Sequence, residues 1–393
     1  MFFSFLRTTA FRNLADREVF TGVKNVFLVG ENGQGKTNFL EALYFCAYAS
    51  SFRAIRDSEI ARISLRNDIS VGNDSDNSGK DDNSGLKKDF SAEVKIEQSA
   101  NSSILVKSEK GKKSIIINGK HTDDRKDLLS IAPSIVFCHE DMEFVNGSPE
   151  RRRWFFDQTL SLYDPVYLED LRRYRRVLKS RNAILKEYAQ NRSNVEQVLD
   201  ALDPQLVMYG QNLMEKREVA SREFSGVFEP LYREVSGIAG ITVGYIPSWK
   251  TEINSSKSAQ SFLQEKRASD LAAGLSLSGP HRDRYVFAHR GTEFATKAST
   301  GQRRLLALLL RTAQACRFSQ KTGLNPVLLL DDVLLEMDGE KRRRFLSVLP
   351  AYDQAFYTFL PEEPYERYLQ RYSREDTLIY KVNAGMLMSQ DRH

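Results

Sequence analysis

The sequence has little of what would mark a secreted, metal-held or membrane-spanning chain. Its three cysteines, Cys46, Cys138 and Cys316, are far apart and odd in number, which argues against a disulfide framework and against a zinc site. The five histidines, His393 included, show no metal-ligand spacing. No apolar run approaches a membrane span, and the opening "MFFSFLR" meets Arg7 too soon for a signal peptide, so a cytoplasmic protein with no membrane partner is the expectation. An excess of one charge is also missing. A net charge of +5 over 393 residues permits a polyanionic partner without demanding one. Hydrophobic content of 41% and charged content of 28% suit a globular chain, long enough for two or three domains.

What is present begins at "VGENGQGKTNFLEALYF", residues 29–45. The spacing G-x-x-x-x-G-K-[ST] runs from Gly30 through Glu31, Asn32, Gly33, Gln34 and Gly35 to Lys36 and Thr37. The preceding "NVFLV" reads as a buried strand. The following segment reads as a helix with Phe39, Leu40, Leu43 and Phe45 largely on one side. In that context the glycines let backbone N–H groups curl round phosphates and Lys36 supplies a charge to the outer ones. The Thr37 hydroxyl can ligate magnesium, and the helix N-terminus adds its positive field. ATP with Mg2+ is the expected cofactor.

A second acidic motif lies near the other end. "NPVLLLDDVLLEMD" starts as a buried parallel-type strand, 327–330, and ends on Asp331 and Asp332. Carboxylates at a strand's carboxyl end belong at the ligand edge of an open α/β sheet, where the phosphate loop also belongs. Asp331 is the expected magnesium ligand and Asp332 the residue that polarises the attacking water. A third segment, "ASTGQRRLLALLLRTAQ", sets Ser299, Gly301 and Gln302 before a strongly apolar helix, with the serine placed as its cap. A serine and a glycine at a helix N-terminus make a second phosphate-recognition surface. The ATP-binding-cassette superfamily needs one, to contact the γ-phosphate held by another subunit.

Between these motifs the composition changes. Residues 72–89 are polar, glycine- and serine-rich, and read as a disordered insertion. "FSAEVKIEQ", "SSILVKSE" and "KKSIIINGK" read as antiparallel strands of a small β-subdomain. From Pro149 to Ala268 apolar residues recur at helical spacing, as in Tyr167, Leu171, Tyr174 and Leu178. The expected division is 1–148 and 269–393 as two parts of one nucleotide-binding head, with 149–268 as an inserted helical lobe lacking coiled-coil heptads.

Taken in order, "FRNL", "GENGQGKTNFLEALY", "SFRAIRDSE", "GSPERRRWFFD", "SGPHRDR", "STGQRR" and "LLLDDVLLEMD" resemble the RecF family, relatives of SMC heads. The resemblance covers nearly the whole chain except the insertion and parts of the lobe. It implies an α/β fold: an ABC-type P-loop ATPase head with a β-subdomain and a short inserted helical lobe. It also implies a homodimer closed around ATP that hydrolyses it slowly. Such a dimer would act on gapped or junction DNA and promote recombinase loading with RecO and RecR. Two positions depart from the family pattern: Arg284 follows "GPHRD" where an aspartate is usual, and Leu335 opens "LEMD" where a serine is usual.

For DNA, Arg172, Arg173, Arg175 and Arg176 on one helix could neutralise several phosphates, with no base-reading motif nearby. Glu150, Asp157, Glu169 and Asp170 could equally pair with them on an ordinary solvated face. A transporter ATPase is the first rival, but it needs a histidine where "QAFYTF" has Thr358. An SMC-like structural protein would show a heptad-rich middle, and a metabolic kinase would leave Ser299 to Gln302 unexplained.

Overall fold

Strand Asn25–Val29 is buried at all five positions, which suits a parallel sheet covered on both faces. It belongs to a computed structural model that describes residues 1–54, 56–62, 89–97, 101–187, 195–249, 256–334, 337–363, 365 and 372–390. The expected insertion at 72–89, Asp89 apart, lies outside the described residues, as do Leu335 and Glu336. The chain divides into two units. One comprises Met1–Cys138, Pro326–Leu335 and Tyr352–His393; the other comprises His139–Asn325 and Glu336–Ala351.

Among the described residues the first unit holds two six-stranded sheets. In one, Asn25–Val29 lies between Thr377–Asn383 and Gln354–Phe359, and Val327–Leu330 and Ser134–Phe137 follow, all parallel. Met386–Ser389 closes its other edge antiparallel. The second sheet is antiparallel throughout, in the order Glu18–Phe20, Phe2–Thr9, Phe90–Glu97, Ser102–Glu109, Lys112–Ile117, Lys120–Thr122. It contains the three strands read as a β-subdomain, and Phe90–Glu97 alternates buried and more open positions as a half-covered sheet should.

The helix Lys36–Tyr48 corrects one expectation. Its apolar residues do not keep to one side: Phe39 to Ala47 are all buried, Glu41 included. The reason is its position, packed against strands of both sheets, so that it has no solvent face over most of its length.

The second unit is mainly helical. Pro149–Tyr163 starts with proline at its first position after Ser148, where a missing N–H costs nothing. Pro165–Glu187 packs along the 42-residue helix Val195–Ser236, which at 1.5 Å per residue spans about 63 Å. The stretch expected to be a helical lobe also contains a strand, Ile241–Ile246. It pairs antiparallel with Arg284–His289, which pairs in turn with Thr292–Glu293. Alternating burial at Ile241 and Val243 marks it as half-covered. The unit takes in all of 149–268 together with the helix Thr300–Thr322.

Buried guanidinium groups cross-link this unit. Arg181 pairs with Asp203 at 2.8 Å and Asp270 at 2.7 Å. Arg217 reaches Asp157 and Asp283, each at 2.7 Å, and Arg311 reaches Asp141 at 2.7 Å. Each pair joins segments distant in sequence.

Candidate nucleotide site

In the first unit the parallel strands Asn25–Val29, Gln354–Phe359 and Val327–Leu330 end on one edge, and two of the motifs, the phosphate loop and the acidic pair, meet there. The loop after Asn25–Val29 turns into Lys36–Tyr48 through Gly33 and Gly35, at φ of 77° and 114°. A side chain at Gly35 would be strained by that angle and would meet Asn13 Oδ1 at 2.9 Å. The Lys36 ammonium is buried and donates to the carbonyls of Gly30 at 2.6 Å and Glu31 at 3.1 Å, so it lies along the inside of the loop.

The Thr37 hydroxyl donates to Asp331 Oδ1 at 2.9 Å. Residues 294 positions apart thus become neighbours at the strand ends. Two hard oxygen donors side by side, one of them a carboxylate, fit a magnesium ion better than a softer metal. Asp332 stands next to them with φ of 51°, a left-handed backbone that aspartate tolerates better than most residues. Its N–H donates to Thr358 Oγ1 at 2.7 Å, and that hydroxyl donates back to Asp332 Oδ1 at 2.8 Å. Thr358, on the strand between the phosphate loop and the acidic pair, is a site residue that sequence reasoning treated only as a missing histidine. The signal for it was its place near the end of an apolar strand.

Contacts around the loop complete the site, and of their residues Asn13, Asn38, Glu41 and Arg12 were not named from the sequence. Gln34 accepts the N–H of Ala384 at its side chain, 2.7 Å, and that of Gly385 at its carbonyl, 2.8 Å. Asn13 donates to Gly33 O at 3.2 Å and accepts from Asn38 at 2.6 Å. Glu41, fully buried on the phosphate-loop helix, is gripped by Arg12 at 2.9 Å and Arg53 at 2.7 Å. Burial by itself would push its carboxyl up, but the two guanidinium groups outweigh that and hold it below the ordinary value. Arg53 also donates to Asn38. These residues stiffen the loop and the start of its helix.

The third segment, with Ser299, Gly301 and Gln302, belongs to the second unit. Ser299 caps Thr300–Thr322 in a reciprocal box: Ser299 Oγ accepts from Gln302 N at 3.3 Å, and Gln302 Oε1 accepts from Ser299 N at 2.8 Å. Ser299 and Gly301 remain exposed. They line a cavity of about 330 Å3 with Met337 and Asp338, and Asp338 caps the next helix, Gly339–Ser347.

The arginines named for DNA lie on the helix Pro165–Glu187. Arg173 meets Glu169 at 2.8 Å and Arg175 meets Asp157 at 3.3 Å, while Arg176 is exposed and Arg172 half-buried. Two residues of the "GPHRD" segment have structural partners here. Asp283 is enclosed by Arg217, Tyr245 and the N–H of Ser248. Burial pushes His281 down to about 4, so its neutral ring donates from Nε2 to Ser276 O, 2.9 Å, and accepts the Tyr174 hydroxyl at Nδ1, 2.7 Å. Among the described residues no helix is long and apolar enough to cross a membrane.

Comparison with known proteins agrees with this architecture. The profile of the RecF/RecN/SMC N terminal domain family matches residues 2–371. The DNA replication and repair protein RecF of Treponema pallidum (strain Nichols) is 41% identical over 375 residues, which cover 95% of this chain and 97% of that protein. The protein of the same name from Bacillus subtilis (strain 168) is 31% identical over 369 residues, 91% of this chain and 93% of its own. A solved structure of the recombination mediator protein RecF-ATP in the RecFOR pathway gives a TM-score of 0.81 at 23% identity, covering 99% of each chain. An SMC head bound to the C-winged helix domain of ScpA gives 0.51 at 14% identity, covering 99% of this chain and 98% of that one. The fold is therefore the α/β fold of RecF and SMC heads, the ABC-type ATPase head. With identity this high over nearly its whole length and a profile match from residue 2 to 371, the chain belongs to the RecF family of DNA replication and repair proteins.

Proposed function

We propose that the chain is an ATP-switched, DNA-binding protein of recombinational repair and replication-fork maintenance. It dimerises head to head on ATP, acts at single-strand gaps or junctions without sequence preference, and promotes recombinase loading with RecO and RecR. The observation that carries this reading is the convergence of Lys36, Thr37, Asp331 and Asp332 at one sheet edge, with Thr37 and Asp331 in contact at 2.9 Å.

Backbone N–H groups from Gly33 to Thr37 cradle the phosphates, and Lys36 leaves its loop carbonyls for the outer phosphate oxygens. Magnesium, held by Thr37 and Asp331, would neutralise charge between the β- and γ-phosphates. Asp332, oriented by Thr358, accepts the proton of the attacking water. Ser299 and Gly301 present a hydroxyl and a helix N-terminus to the γ-phosphate bound by a second copy. Thr358 in place of a histidine fits slow hydrolysis, because a hydroxyl orients a carboxylate but is a poor proton acceptor at neutral pH.

The test is whether ATP, and not ADP, makes the purified protein dimerise and retain DNA. Lys36→Ala should lose nucleotide binding, dimerisation and retention together; unchanged nucleotide affinity would refute the phosphate-loop assignment. Ser299→Arg should bind ATP yet fail to dimerise with itself. Mixed with Lys36→Ala subunits, it should regain weak dimerisation through one composite site. Pull-down by RecO or RecR, with and without ATP, tests the partner assignment.

A further inference from the structure

The second unit contains a cavity of about 520 Å3, lined by none of the residues placed in the nucleotide site. It lies between the helices Pro149–Tyr163 and Pro165–Glu187, and its wall carries four arginines, Arg151, Arg153, Arg175 and Arg217, against two carboxylates, Glu150 and Asp157. The deepest charges are already matched. Asp157 holds Arg217 at 2.7 Å and Arg175 at 3.3 Å. The outer ones are not: Arg151 has Glu143 only at 3.9 Å, and Arg153 donates to the main-chain carbonyl of Asp283, 2.7 Å, rather than to a carboxylate.

An aromatic ring and apolar side chains complete the wall. Trp154 lines the cavity at 40% exposure, large for an indole, and stacks on Phe144 at 5.8 Å with 26° between the rings. Leu171 and Leu178 line it as well. His281, neutral and with both ring nitrogens engaged, adds no charge.

We propose that this cavity takes one unpaired nucleotide of a single-stranded nucleic acid, its base on Trp154 and its flanking phosphates on Arg151 and Arg153. The inference rests on the reading that the chain binds DNA, and adds Trp154, Arg151 and Arg153 to the arginines of the neighbouring helix named for it. Stacking on an aromatic ring tolerates every base, and arginines at the rim follow the backbone, so the site needs no sequence. A concave pocket favours an unpaired base, because a base within a duplex must first leave its stack to enter. An acidic peptide would satisfy the arginines but would have no use for an exposed indole.

The chain has two tryptophans, and the other, Trp249, is fully buried, so a change in emission on binding reports Trp154. Titrating the full-length protein with an oligothymidylate should quench this emission, and the quenching should vanish in Trp154→Phe. Duplex of matched length should quench far less. Labelled oligothymidylate, read by anisotropy, should bind Trp154→Ala about tenfold more weakly and Trp154→Phe nearly normally. Arg151→Glu should weaken it as well. If the wild-type protein binds the strand by anisotropy while Trp154 emission stays constant, this site is refuted and the DNA-binding reading stands. If it binds no DNA under any nucleotide condition, both fall. Quenching by polyglutamate but not by the strand would refute the proposal in favour of an acidic protein partner.

Discussion

Glu41 in the first unit and Arg217 in the second are both charges taken out of water, and they are compensated differently. Glu41 sits on the phosphate-loop helix in an otherwise apolar core, and its partners Arg12 and Arg53 keep part of their surface in solvent. Arg217 is enclosed, with Asp157 and Asp283 buried beside it and the Pro280 carbonyl at 2.7 Å. Arg181 repeats that arrangement with Asp203 and Asp270, and buried Arg311 is held by Asp141. The first unit is held by apolar strands and a buried helix, and its charges gather at the edge where they can act on a ligand. In the second unit, charge-rich helices are fixed in place by guanidinium bridges. Such bridges add little net stability over an apolar replacement, yet removing one side is costly because the other is left alone.

The largest test of that contrast is Arg217→Ala. It strands two buried carboxylates and should cost about 3–5 kcal/mol in urea unfolding. A loss below about 1 kcal/mol would mean that water or Tyr245 substitutes for the guanidinium, and the contrast would fail. Asp332→Asn sharpens it from the other side. Stability should stay within about 0.5 kcal/mol, since the residue is half-buried at the ligand edge, while phosphate release slows by ~10²-fold. Wild-type hydrolysis in this variant would place the base elsewhere.

Acid separates the two units by pH window. The folded His281 titrates near 4 instead of 6.5, so the unfolded chain takes the proton first. Its contribution is complete above pH 6.5 and is lost as pH falls towards 4, on the order of 3 kcal/mol. Glu41 is held below its ordinary 4.5, so its contribution is complete above that value and is lost only as pH falls through the lower folded one. Stability against pH for the wild type, His281→Gln and Glu41→Gln should show the first variant flattening the upper window and the second the lower. A single shared window would erase the distinction. The smallest effect is expected at the arginines of the helix Pro165–Glu187. Replacing Arg172 and Arg173 together should lower the slope of log affinity for DNA against log salt by roughly 1 to 2 units. An unchanged slope would assign them to a solvated face.

The phosphate loop, its strand and its helix were legible because their signals are short-range. So were the acidic strand end at Asp331 and the cap at Ser299. The antiparallel strands showed in their alternation. Less legible was the strand Ile241–Ile246, six residues in a stretch where helical spacing dominates on both sides. The burial of Lys36–Tyr48 on nearly all sides was hidden for another reason: a helix sandwiched between sheets keeps polar residues such as Glu41 when partners from elsewhere satisfy them.

By itself the sequence determined which residues can bind phosphate and where the elements carrying them begin, because glycine spacing, capping and strand patterning act over a few successive residues. Only the tertiary structure decided that Thr358 stands beside Asp332, that Arg12 and Arg53 meet on Glu41, and that Arg217 closes on Asp157 and Asp283. Those contacts join positions far apart in the chain. A side chain's ionic partner there is set by the packing of whole elements, and no local pattern encodes it.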